Sequence, residues 1–113
     1  TVIELPETGA SGVTDSLVDN FDPSCDSFTT GEDIYAYRNT RNLATLTFST
    51  LGSVGDTVLS VRENDCADAA SEIACEDPTS GGEEVTIVPT LDSFYFVFVD
   101  SDFSTTVDYV LNL

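Results

Sequence analysis

Apolar residues recur in this chain at every second position, in short runs closed by turn residues. No span of helical length carries the 3.6-residue period of an amphipathic helix. Successive side chains of a strand point to opposite faces, so each run reads as a β-strand. Residues 34–38 set Tyr35 and Tyr37 on one face. Residues 43–50 set Ala44, Leu46 and Phe48 against Thr45, Thr47 and Ser49, and residues 57–62 set Val58 opposite Leu59 and Val61. Residues 85–88 are short and β-branched, 94–99 are apolar on both faces and read as a central strand covered on both sides, and 107–113 gather Tyr109, Leu111 and Leu113. Weaker strands are expected at 2–5 and 13–18. Turn signals separate the runs, at 22–24, 30–32, 51–53 and 80–82. The longest irregular segment is expected at 63–84. About seven to eight strands in an all-β chain of this length imply an antiparallel β-sandwich. With no repeat and no linker, residues 1–113 form one domain.

Charge then limits what such a sandwich can do. The chain carries 21 Asp and Glu against three cations, Arg38, Arg41 and Arg62, and has neither Lys nor His, for a net charge of -18. Without His there is no imidazole base, no Ser-His or Cys-His pair and no His metal ligand; without Lys there is no Schiff base. Nucleic acid and anionic lipid are bound mainly through Lys and Arg, so neither is an expected partner. The longest apolar run, 94–99, is too short to span a bilayer, so no membrane insertion is expected. Hydrophobic content of 41% is that of a folded chain, and a monomer is expected. Like charges repel in the compact state, so stability should rise with salt or a bound divalent cation. An acidic, lysine-free surface also suits a protein kept soluble in salty surroundings, with no ligand implied. The sequence opens at Thr1 without Met and reads as a mature or excised piece of something longer.

Cys66 and Cys75 flank a polar stretch that reads as a loop between strands, and a disulfide between them is expected. It would close a ring of roughly ten residues, worth about 2.7 kcal/mol on the chain-entropy model. Three scattered Cys without His make a poor zinc site. Cys25 is then left over, as a buried thiol or with a partner outside this sequence.

The run Asp33-Ile-Tyr-Ala-Tyr37, followed by Leu46-Thr-Phe48, Asp56-Thr-Val-Leu59, Cys66…Cys75-Glu-Asp77, Phe94-Tyr-Phe-Val-Phe-Val-Asp100 and Tyr109-Val-Leu111, resembles the bacterial pre-peptidase C-terminal (PPC) domain family. The motifs follow in the family's order over about two thirds of the chain. The resemblance implies a jelly-roll-like β-sandwich, secreted or on the cell surface, set beside an enzyme or within a surface protein. Some members of the family bind calcium or extracellular polymers. The implied role is a non-catalytic accessory or adhesion module whose partner is an extracellular protein or polysaccharide, or a neighbouring enzyme domain of the same precursor. A ligand-free spacer that assists secretion is the alternative. A small carboxylate-based hydrolase or inhibitor is a further one, since two acidic groups can hydrolyse glycosides.

No cofactor is required, but calcium is the cation this donor set suits, because hard cations take several oxygen ligands. Candidates stand at strand–loop boundaries: Asp33, Asp56, Asp77, Asp100 and Asp102. No EF-hand pattern is present. Aspartates at strand ends also cap turns by bonding the backbone two residues on. Candidate partner contacts are Phe94, Phe96 and Phe98, which share one face of one strand, with Arg38 and Arg41. A competing reading buries the Phe ladder in the core and has the arginines neutralise neighbouring Glu32 or Asp33. Leu5-Pro-Glu-Thr-Gly9 matches a sortase signal by letter only; Pro6 and Gly9 read as a strand end and turn.

Overall fold

Each alternating run becomes a strand because one of its faces has a core to cover. The computed structural model describes residues 2–14, 24–25, 32–76, 82–101 and 107–113. Asp77, Asp102, the 13–18 strand beyond Thr14 and most of the turns at 22–24, 30–32 and 80–82 lie outside the described residues. The strands are β1 (Val2–Glu4), β2 (Ala10–Val13), β3 (Asp33–Arg38), β4 (Leu46–Ser49), β5 (Thr57–Glu63), β6 (Glu72–Glu76), β7 (Glu84–Ile87), β8 (Phe94–Ser101) and β9 (Asp108–Leu111). The helical element among the described residues is one 3-10 turn, Ala69–Ser71, where the Asp68 carboxylate accepts the Ala70 N–H.

The strands form a sandwich. One layer is a five-stranded sheet in the order β1-β3-β8-β5-β6. The other consists of the antiparallel ribbons β2–β9 and β4–β7, joined by a bridge in which Ser49 and Asn112 exchange backbone hydrogen bonds of 2.9 and 2.8 Å. The chain changes layer from β3 to β4 to β5 and from β6 to β7 to β8 to β9, the jelly-roll-like weave. Tyr35, Tyr37, Leu59, Val61, Tyr95, Val97 and Val99 of the large sheet meet Leu46, Phe48, Val85, Ile87, Val107, Tyr109 and Leu111 of the other layer. Phe48 is fully buried, and its truncation to Ala would cost about 3–5 kcal/mol. Pro6 and Gly9 do make the first turn: the Gly9 N–H donates to the Pro6 carbonyl at 2.9 Å, with Gly9 at φ +88°.

Three expectations are corrected. Among the described residues there are nine strands, one of them β6 in the segment expected to be a single irregular loop. Its signal is faint because an edge strand needs little apolar covering, and Ile73 and Glu76 are exposed. The pairing of β1 with β3 is parallel, which the long connection through β2 in the other layer permits.

The third correction is the disulfide, which joins Cys25 to Cys75, not Cys66 to Cys75. β6 runs extended along β5 with Cys75 opposite Ser60, whereas Cys66 stays in the connection beyond β5, its carbonyl held by Arg62 Nη1 at 2.7 Å. The strand thus carries Cys75 away from the hairpin end where Cys66 sits. Residues 24–25 dock there instead, with the Ser24 N–H donating to Glu72 Oε1 at 3.1 Å. Cys66 is the free thiol. No helix of the described residues is long and apolar enough to cross a membrane.

Candidate functional site

The outer face of the five-stranded sheet is covered over one half and open over the other. Side chains alternate along β8, so Tyr95, Val97 and Val99 enter the core while Phe94, Phe96 and Phe98 turn outward. Ile34, Val58, Ser60 and Phe98 on that outward face are buried. Arg62, itself buried, lies with its guanidinium 4.9 Å from the Phe98 ring centroid. Toward the start of β8 the cover ends: Phe96 is half-buried and Phe94 is 43% exposed. The expectation of a strand covered on both sides therefore holds for one half of β8. The Phe ladder is core at Phe98 and surface at Phe94.

Phe94 is held in place although it faces water. The Asn64 N–H donates to the Phe94 carbonyl at 2.8 Å, and the Phe94 N–H donates to Asn64 Oδ1 at 2.9 Å. Asn64 makes both bonds from a left-handed backbone, φ 64°, which Asn tolerates better than most residues. The rings of Phe94 and Phe96 lie 6.4 Å apart and 18° from parallel. Arg38, across the β3–β8 pair, sits 5.8 Å from the Phe94 centroid. Its ion pair is with Asp92 at 3.5 Å, and that of Arg41 is with Glu7 at 2.9 Å. The neutralising partners are thus distant in sequence, not Glu32 or Asp33. Both pairs are exposed, and such pairs contribute about 0–1 kcal/mol, so either arginine can be recruited by a ligand.

Beside this aromatic pair, a shallow cleft of about 340 Å³ opens between β1 and β3. Glu4, Pro6, Glu7, Ala36 and Arg38 are among its lining residues. Tyr37, whose ring packs in the core, extends its hydroxyl to donate to Glu7 Oε1 at 3.3 Å. Neither Glu4, Glu7 nor Asn64 carries a sequence signal. Their role depends on register, which pairs Glu4 with Ala36 and Ala36 with Phe96.

The acidic candidates divide differently. Asp33 and Asp56 stand before or at the start of β3 and β5, and Asp100 stands near the end of β8, so the sheet brings all three to one end. The alternation then parts them: Asp33 faces inward with Tyr35, whereas Asp100 is buried on the outward face with Phe98. The Asp33 carboxylate accepts from the Tyr109 hydroxyl, which is also 2.6 Å from the Tyr35 hydroxyl. Burial, together with its bonds to Asp33 and Tyr35, pushes the Tyr109 phenol well above its usual range; burial raises Tyr35 too. Among the described residues no three Asp, Glu, Cys or His gather as metal ligands. A second buried polar group, missed in the sequence, links Thr50, Thr57 and Glu83: Thr57 Oγ1 donates to Glu83 Oε1 at 2.6 Å and lies 2.8 Å from Thr50 Oγ1.

Compared with known proteins, the chain matches no family model, no curated protein and no solved structure.

Proposed function

We propose that this chain is a non-catalytic module of the pre-peptidase C-terminal kind, secreted or displayed at a cell surface, that binds an extracellular partner through the open half of its five-stranded sheet. The observation that carries the reading is Phe94, the exposed aromatic among the described residues, whose backbone is fixed on both sides by Asn64. An aromatic held rigidly on a sheet face offers contact area with little ordering entropy left to lose, and aromatic and Arg side chains are the usual anchors of binding energy. The order of the sequence motifs supports the family assignment, and the disulfide is compatible with an oxidising compartment. A chain without His or Lys cannot build the imidazole- or amine-dependent sites of many hydrolases, which supports a non-catalytic role.

Co-sedimentation with a panel of insoluble extracellular polymers (cellulose, chitin, peptidoglycan, collagen fibrils), beside pull-down on immobilised extracellular proteins, tests the reading. The wild type should be retained on at least one, and Phe94→Ser should abolish retention with a melting temperature unchanged within about 2 °C, as expected for a surface change. Retention that ignores Phe94 would remove this face from the account. Retention on nothing would favour the spacer.

A further inference from the structure

We infer that the partner presents a cationic segment: an apolar side chain seats on the Phe94–Phe96 pair, and a neighbouring lysine or arginine enters the cleft at Glu4 and Glu7. This rests on the reading of the open half-face as the contact surface, and it names the chemistry that face selects.

The register supplies the geometry. Across the sheet, Glu4 lies beside Ala36, Ala36 beside Phe96, and Phe96 beside Arg62. Ala36 contributes only a methyl group between a carboxylate-bearing and a phenyl-bearing neighbour, so the surface dips there, and the cleft is lined from the β1 side by Glu4, Leu5, Pro6 and Glu7 and from the β3 side by Ala36, Tyr37, Arg38 and Thr40. A side chain laid in that dip has Phe96 on one side and Glu4 on the other, with Glu7 farther along the cleft.

The protein already binds cations in these two ways with its own arginines. Arg38 and Arg62 lie 5.8 and 4.9 Å from the ring centroids of Phe94 and Phe98, and Glu7 grips Arg41 at 2.9 Å. Phe96 stands between Phe94 and Phe98 on the same face of β8. Cation–π and ion-pair contacts of the same kind are open to an incoming lysine or arginine.

Charge complementarity selects this occupant over others. A net charge of -18 attracts and steers a basic partner and repels an acidic one. An uncharged polymer could donate hydrogen bonds to these carboxylates but would gain no attraction between net charges. The long-range field alone would hold a cation anywhere on the surface; the aromatic pair and the cleft give it one place.

The test is an anisotropy titration with a labelled short peptide alternating leucine and lysine, beside its glutamine-for-lysine counterpart. Wild-type protein should bind the lysine peptide and not the glutamine one. Phe94→Ser and the double variant Glu4→Gln/Glu7→Gln should each weaken binding by about tenfold or more. Glu84→Gln/Asp108→Asn removes the same charge from exposed sites on the other layer and should change affinity by less than about twofold. If that control weakens binding as much as Glu4→Gln/Glu7→Gln, the attraction is the bulk field and the inference is wrong. If the peptide fails to bind while an uncharged polymer is retained through Phe94, the contact face stands and the cationic partner falls. If neither binding depends on Phe94, both fall.

Discussion

Replacing both Cys25 and Cys75 by Ser should cost this domain about 4 kcal/mol, whereas Cys66→Ser should cost less than about 0.5 kcal/mol. The first figure follows from the 50-residue separation that the disulfide closes, through the loop entropy it removes from the unfolded chain. For a chain of 113 residues that corresponds to a melting temperature lower by about 15–20 °C. The double variant is needed because Cys25→Ser alone would leave an unpaired Cys75 thiol open to mixed disulfides and exchange with Cys66 in the unfolded chain. Urea unfolding at equilibrium measures the difference, with non-reducing peptide mapping of the wild type to identify the pair. The reasoning is refuted if Cys66→Ser costs as much as about 2.7 kcal/mol, or if the double variant loses less than about 1 kcal/mol.

Tyr109→Phe removes the donor to Asp33 and the partner of Tyr35 in the buried layer, and should destabilise by about 1.5–3 kcal/mol in the same unfolding assay; an unchanged midpoint would contradict the network. Gly12→Ala should reproduce part of that loss, since a Cβ there would stand 2.6 Å from the Tyr109 hydroxyl; equal stability would show that the ring can move aside. Tyr35, Tyr95 and Tyr109 all have phenol pKa values raised by burial in the folded state. The unfolded chain therefore loses those protons first: the stabilisation is complete below about pH 10 and declines above it by about 1.4 kcal/mol per pH unit for each tyrosine. Tyr109→Phe should flatten that decline in alkaline unfolding curves, and an unchanged slope would count against it. Calcium and magnesium at matched ionic strength should raise the melting temperature equally, because both screen a surface of net charge -18. A calcium-specific rise would point to ligands that the described aspartates do not bring together.

The fold was legible where burial on one face enforces alternation. Tyr35 and Tyr37, Leu46 and Phe48, and Tyr109 and Leu111 all point where their spacing predicts, because a slip of one residue would turn each set into water. β6 was not legible, since an edge strand with Ile73 and Glu76 in solvent has little core to declare itself to. The disulfide was misread for the same reason: once β6 is taken for a loop, Cys66 and Cys75 look like the ends of a ring. Half of the candidate site could be read in advance. Phe94 and Phe96 share a face by parity along β8, but the placing of Arg38 beside Phe94 depends on the β3–β8 register, and the point where the covering stops, between Phe98 and Phe96, depends on what lies across the sheet. The partners Asp92 and Glu7 lie 54 and 34 residues from the arginines they bind, beyond any local pattern.

The account depends on an aromatic side chain that is both open to water and fixed in place. Fluorine NMR of the protein labelled with fluorophenylalanine, with a soluble paramagnetic agent added, tests this most directly. Signals assigned by substitution to Phe94 should broaden strongly while remaining a single sharp conformer without the agent, Phe96 should broaden less, and Phe48 and Phe98 should be untouched. A Phe94 signal as protected as that of Phe48 would mean that the face is closed and that the partner binds elsewhere.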